Sequence, residues 1–260
     1  MSPATSTVAG LASIPLVVAI LGLLILVGLR LITGGESMAQ VWLAWGKARY
    51  WLFFGLAIAL YYVLQAALNA VLGLGGATLT PPAGPAGINP SSFLILATVQ
   101  SVLVAPVLAI VITFGEEYGW RGYLQTELFK MGRVRGVLLL GVIWGMWHWP
   151  LILMGYNYPG HPLLGIVLMT LYTTGLAVVL GYAVLKSGSV LLSAYLHGLN
   201  NQVVAFLVAV GFRPHDAAFS FEIGIYGIIT LAIIALLILR DPIWRGRGSS
   251  LRQTQDEVKA

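Results

Sequence analysis

Seven runs of apolar residues, each close to the ~20 that a helix needs to cross a bilayer, recur along the chain. They fall at about 8–32, 51–74, 93–115, 136–155, 163–185, 189–210 and 223–240. Between them lie turn-forming stretches: LTPPAGPAGINPSS at 79–92, YNYPGHP at 156–162, SGS at 187–189 and RPHD at 213–216. This pattern predicts an all-α fold, a polytopic transmembrane helical bundle of about seven spans. Residues 1–260 read as a single membrane domain that closes on a polar tail at 241–260. The first run is expected as a span and not a cleaved leader, because MSPATSTVAG carries no basic residue and the run is too long. Residues 38–51 place Trp42, Trp45 and Arg49 at helical spacing, as expected of a segment lying along the membrane interface.

Composition narrows the class. Hydrophobic residues make up 58% and charged residues 9%, against roughly 25% charged in a soluble domain. A soluble globular protein is excluded, and so is a disordered one. The absence of cysteine excludes disulfides, thiolate zinc sites and a cysteine nucleophile. The formal charge of +5 could suggest nucleic acid, but its distribution decides otherwise. Every Lys and Arg except Arg213 lies on alternating connections or in the tail. By the positive-inside rule, the N-terminus is expected outside and the C-terminus in the cytoplasm of a multi-pass cell-membrane protein. The charge is a topology signal, and no nucleic acid partner is expected.

Ionisable groups at membrane depth are costly and mark working sites. Three constellations qualify. In Glu116-Glu117-Tyr118-Gly119-Trp120-Arg121, Glu117 and Arg121 are four apart with the acid first, the favourable order for a helical ion pair. Two adjacent carboxylates cannot both ionise comfortably in a dry site, so unpaired Glu116 is the candidate general base or acid. In Trp144-Gly-Met-Trp147-His148, one helical turn puts Trp144 against the imidazole, although an interfacial aromatic belt would also account for the tryptophans. In His197-Gly198-Leu199-Asn200-Asn201, His197 and Asn201 share a helical face. Interhelical hydrogen bonding is the alternative there, and Gly198 would let a neighbouring helix or a substrate backbone approach.

The three sets share one depth. At ~1.5 Å per residue, His148 lies roughly 18 Å in from Gly136 and His197 roughly 12 Å in from Ser189. If the third helix runs on to Lys130, Glu116 is roughly 21 Å in. Counted from the cytoplasmic side, they suggest one buried pocket that opens to the cytoplasm.

Glu-Glu-x-x-x-Arg, aromatic-x-x-x-His and His-x-x-x-Asn, in this order on successive helices, resemble the CAAX-protease and bacteriocin-processing (CPBP) family of intramembrane proteases, Ras-converting-enzyme-like prenyl proteases among them. The resemblance spans about 93–210, a CPBP-like catalytic core, and departs in having Trp144 where the second motif usually begins with Phe. It implies a hydrolase, an intramembrane endopeptidase acting on a membrane-associated or lipidated protein or peptide. In that scheme Glu116 and His148 activate a water while His197 and Asn201 form an oxyanion hole; Glu117, Arg121 and Trp144 support the site. Family members are often called metalloproteases, and a divalent metal such as zinc would take His148, His197 and Glu116 as ligands. The residue set also works without a cofactor, and the sequence has no HExxH, so the metal-free version is preferred. Two other classes use the same residues. One is a proton-coupled transporter, which would need matching broken helices in the other half of the chain. The other is a non-catalytic immunity or scaffolding membrane protein, in which an unpaired buried glutamate would bring cost without return.

Overall fold

A computed structural model describes residues 45–77, 89–210, 212–216, 218–219 and 223–246. Helix α1 (Ala48–Val71) leads into a three-residue strand β1 (Gly75–Ala77). A single helix α2 follows (Ser91–Met131), then α3 (Arg133–Leu153), α4 (Pro162–Ser187) and α5 (Val190–Val210). Strand β2 (Phe212–Pro214) pairs antiparallel with β1, Gly76 opposite Arg213, and α6 (Ile225–Ile238) precedes a 3₁₀ turn at Pro242–Arg245. The all-α expectation holds apart from that short ladder, which ties the ends of α1 and α5 together.

Four of these helices, α1 to α4, are long and apolar enough to cross a membrane. The expected span at 8–32 lies outside the described residues. The third helix, expected to span 93–115, does run on past Lys130 as the depth count assumed, since α2 continues to Met131. It does so by widening into π-helical turns at Gln100–Val104 and Tyr118–Leu124, the second placed immediately after Glu117. Turns of this kind recur at functional sites. At 14 residues, α6 is roughly 21 Å long, shorter than the ~30 Å hydrocarbon core. The expected interfacial helix at 38–51 is also corrected. Trp45, Gly46 and Lys47 are not helical, Gly46 has a left-handed φ of 66°, and helix begins only at Ala48. Trp42 lies outside the described residues. The tail expected from 241 onward does not leave the bundle at once: Trp244 is buried, edge-on to Phe129 and stacked on Tyr182.

Two tight helix pairs build the core, α3 on α4 and α2 on α5, with α4 also touching α5, α1 on α5 and α6 on α4. Small residues set the spacing, since lipid offers no hydrophobic drive between helices and close backbone approach must supply the packing. A Cβ on Gly141 would strike the Thr174 backbone, and one on Gly145 would lie 2.6 Å from Thr170 Cα. The Thr173 hydroxyl donates across the same seam to the Gly141 carbonyl at 2.9 Å. Gly141→Ala should therefore force α3 and α4 apart, at an overpacking cost of about 1–3 kcal/mol. A lowered melting temperature in detergent is the expected reading; an unchanged one would mean the seam is slack.

Candidate active site

Each of the three constellations sits where two packed helices leave room between the pairs. Glu117 is fully buried, and its carboxylate is engaged on every side. Oε1 accepts from Arg121 Nη1 at 2.7 Å and from His197 Nδ1 at 2.9 Å, while Oε2 accepts from the Ser193 hydroxyl. The Glu117–Arg121 pair expected from the spacing is present. Arg121 is equally buried, and its guanidinium carbon lies 4.3 Å from the centroid of the Trp144 ring, a cation–π contact.

Trp144 is the hub of the aromatic packing. Its ring is edge-on to His197 with centroids 5.4 Å apart and tilted toward His148 at 6.1 Å. Trp147 closes the other side of His148, edge-on at 5.1 Å. The expected support of the imidazole by Trp144 takes a second form as well, because His148 Nδ1 donates to the Trp144 carbonyl at 2.8 Å. A carbonyl only accepts, so Nδ1 carries the hydrogen and Nε2 keeps its lone pair. The same logic places hydrogen on His197 Nδ1, which faces the Glu117 carboxylate. Both rings line the cavity between the helix pairs.

That cavity has a volume of about 610 Å³ and brings together Glu116, His148, His197 and Asn201. Consecutive residues on a helix point ~100° apart, which is why Glu117 turns into the α2–α5 seam while Glu116 turns into the cavity. The indole of Trp120, one turn along the helix, lies beside the Glu116 carboxyl. Asn201 stands at the cavity wall with Oδ1 accepting from Asn200 Nδ2 at 3.4 Å, so its own amide hydrogens face elsewhere. Gly198 serves the helix neighbour and not an open backbone path: a Cβ there would lie 2.9 Å from Ala109 Cβ.

Several participants were not singled out from the sequence. Ser193 and His197 are four apart on one face, as are Glu116 and Trp120, so spacing could have found both. No such signal exists for Tyr62 and Tyr172, whose hydroxyls bond buried Asn200 from α1 and α4 at 2.5 and 3.0 Å.

The cavity lining runs from Glu116 and His197 to Tyr156, Asn157 and Ile223, in connections at the end of the bundle away from Arg133, Lys186 and Arg240. Toward the basic end the space is filled by Arg121, Gln125, Val137 and Leu140, all buried. Among the described residues, the cavity lining thus extends from Glu116 and His197 away from the basic end.

As metal ligands, Glu116, His148 and His197 share the cavity wall, and each imidazole fixed through Nδ1 resembles the usual support of a ligating histidine. Yet among the described residues no group of three His, Asp or Glu side chains stands close enough together to hold an ion. The residues as placed do not make a ligand set.

Residues 98–203 match the family model described as Type II CAAX prenyl endopeptidase Rce1-like. The match lies within the stretch that carries the three motifs and supports the CPBP, CAAX-protease assignment, a family of peptidases of the membrane. No curated protein and no solved structure matches the chain.

Proposed function

We propose that the protein is an intramembrane endopeptidase that hydrolyses a peptide bond of a membrane-associated or lipidated protein or peptide, with water activated by Glu116 and His148. The observation that carries this reading is the division between the adjacent glutamates. Glu117 is fully buried, accepts three hydrogen bonds from Arg121, His197 and Ser193 and lies outside the cavity wall, whereas Glu116 faces a cavity that also holds both imidazoles and Asn201.

Glu116 and the free Nε2 of His148 hold a water, and Glu116 takes its proton as the oxygen bonds to the scissile carbonyl carbon. His197 contributes to the oxyanion site as the imidazolium, since its Nδ1–H is given to Glu117 and only a protonated Nε2 can donate. Asn201 supplies the second donor through its amide hydrogens. Collapse of the tetrahedral intermediate breaks the C–N bond, and the proton on Glu116 passes to the leaving amine. Asn201→Ala should lower kcat by about 10²–10³ with KM little changed, the loss typical of one oxyanion donor. Equal loss in KM alone would make Asn201 a substrate-binding residue.

No metal is required in this scheme. Cleavage should survive strong chelation, and elemental analysis of the purified chain should find no stoichiometric metal. One metal per chain, lost in both His148→Ala and His197→Ala, would overturn the metal-free reading.

With the N-terminus outside, as the basic residues indicate, the mouth beside Tyr156 and Asn157 faces away from the cytoplasm. The chain has no cysteine, so single cysteines report directly. Tyr156→Cys should react with an impermeant maleimide on intact cells, and Lys130→Cys only after permeabilisation. The reverse pattern would turn the orientation over and restore a cytoplasmic mouth.

A further inference from the structure

A second cavity, also of about 610 Å³, lies between α1, α4 and α6. It contains none of Glu116, His148, His197 or Asn201, and its walls are chiefly apolar, with Phe53, Ile58, Leu231 and Ile234 among them. At its basic end stand Arg240 and Asp241. These two are not partners. The Asp241 carboxylate accepts from Lys186 Nζ and from the Tyr182 hydroxyl, both at 2.7 Å, and from the Ile243 N–H at 2.9 Å. Against a burial effect that would raise it, these donors hold its pKa at about 2. Arg240 is exposed, and its guanidinium makes no hydrogen bond or ion pair among the described residues.

Among the described residues an unpaired guanidinium thus sits at the end of an apolar slot, beside a carboxylate that Lys186 already neutralises. From Arg240 to Leu231 the slot follows α6 for roughly 13 Å at the helical rise. That is close to one leaflet's share, ~15 Å, of the ~30 Å hydrocarbon core. Phe53 and Leu237 on the open side of the slot are exposed and apolar, as a lipid-facing surface is, and the charge lies at the end that the basic residues assign to the cytoplasmic leaflet, where anionic lipids gather.

We infer that this groove seats an anionic phospholipid, with one acyl chain between α1 and α6 and its phosphate on Arg240. Tyr172, Leu176 and Asn200 line both cavities, so the lipid packs against the wall that holds Asn201 through Asn200. The inference stands independently of the peptidase reading, and its test uses no substrate.

The full chain, delipidated in uncharged detergent, is titrated with phosphatidylglycerol or phosphatidylcholine and followed by melting temperature and native mass spectrometry. Phosphatidylglycerol should raise the melting temperature and remain bound at one per chain, where phosphatidylcholine does neither. Arg240→Gln should raise the phosphatidylglycerol concentration for half-maximal effect about fivefold, the share of one basic residue. Ala57→Trp, which fills the slot, should abolish retained lipid; Leu237→Trp, at an exposed position of the wall, does the same if Ala57→Trp fails to fold. Equal response to both lipids, an undiminished response in Arg240→Gln, or lipid retained by the filled variants would overturn the assignment. A slot already covered by residues 8–32 would give no lipid response, which also overturns it.

Discussion

Arg121→Ala should lower the stability of the folded protein by about 3–5 kcal/mol, the usual cost of stranding one partner of a buried ion pair. The structure gives reasons for the upper part of that range. Arg121 and Glu117 are both fully buried, and the guanidinium also covers the Trp144 ring. Its removal leaves a carboxylate with only Ser193 and His197 as donors and a void beside the tryptophan that positions both imidazoles. Activity should fall as a consequence. Arg121→Lys keeps the charge but not the planar contact, and should recover part of the stability. Thermal melting in detergent reads both; a melting temperature unchanged in Arg121→Ala would mean that Glu117 is held by α5 alone.

Glu116→Gln should do the opposite, leaving melting unchanged while cleavage falls by about 10²–10⁴, the range for removal of a general base. Gln is nearly isosteric and can still meet the Trp120 indole through its carbonyl oxygen. No ion pair is lost, because the cation nearby belongs to Glu117. Glu117→Gln is the control that separates the two roles. It weakens the bonds to Arg121 and His197 and should lower the melting temperature together with activity. The neighbouring glutamates are thus distinguished by which measurement each one moves.

Much of this site was legible because helical spacing is local. The Glu117–Arg121 pair, the shared face of His197 and Asn201, the contact of Trp144 with His148 and the close approach at Gly198 all follow from residues four apart or from a missing side chain. The rest depends on how helices meet. That Glu117 would take His197 and Ser193 from α5 depends on contacts 80 and 76 positions away, which no local pattern encodes. The role of the imidazole changed with it: read alone, His197 is a donor toward an oxyanion, but with Nδ1 given to Glu117 it can donate only as the imidazolium. The extent of the cavity was likewise hidden, since a count from the basic end fixes depth and says nothing of which side chains line the space beyond.

Peptide cleavage by the purified full chain in lipid nanodiscs, against a library of membrane-anchored peptides, tests the central claim most directly. Wild type should cut, Glu116→Gln and His148→Ala should not, and all three should melt at the same temperature. Cleavage by Glu116→Gln at the wild-type rate would contradict the account.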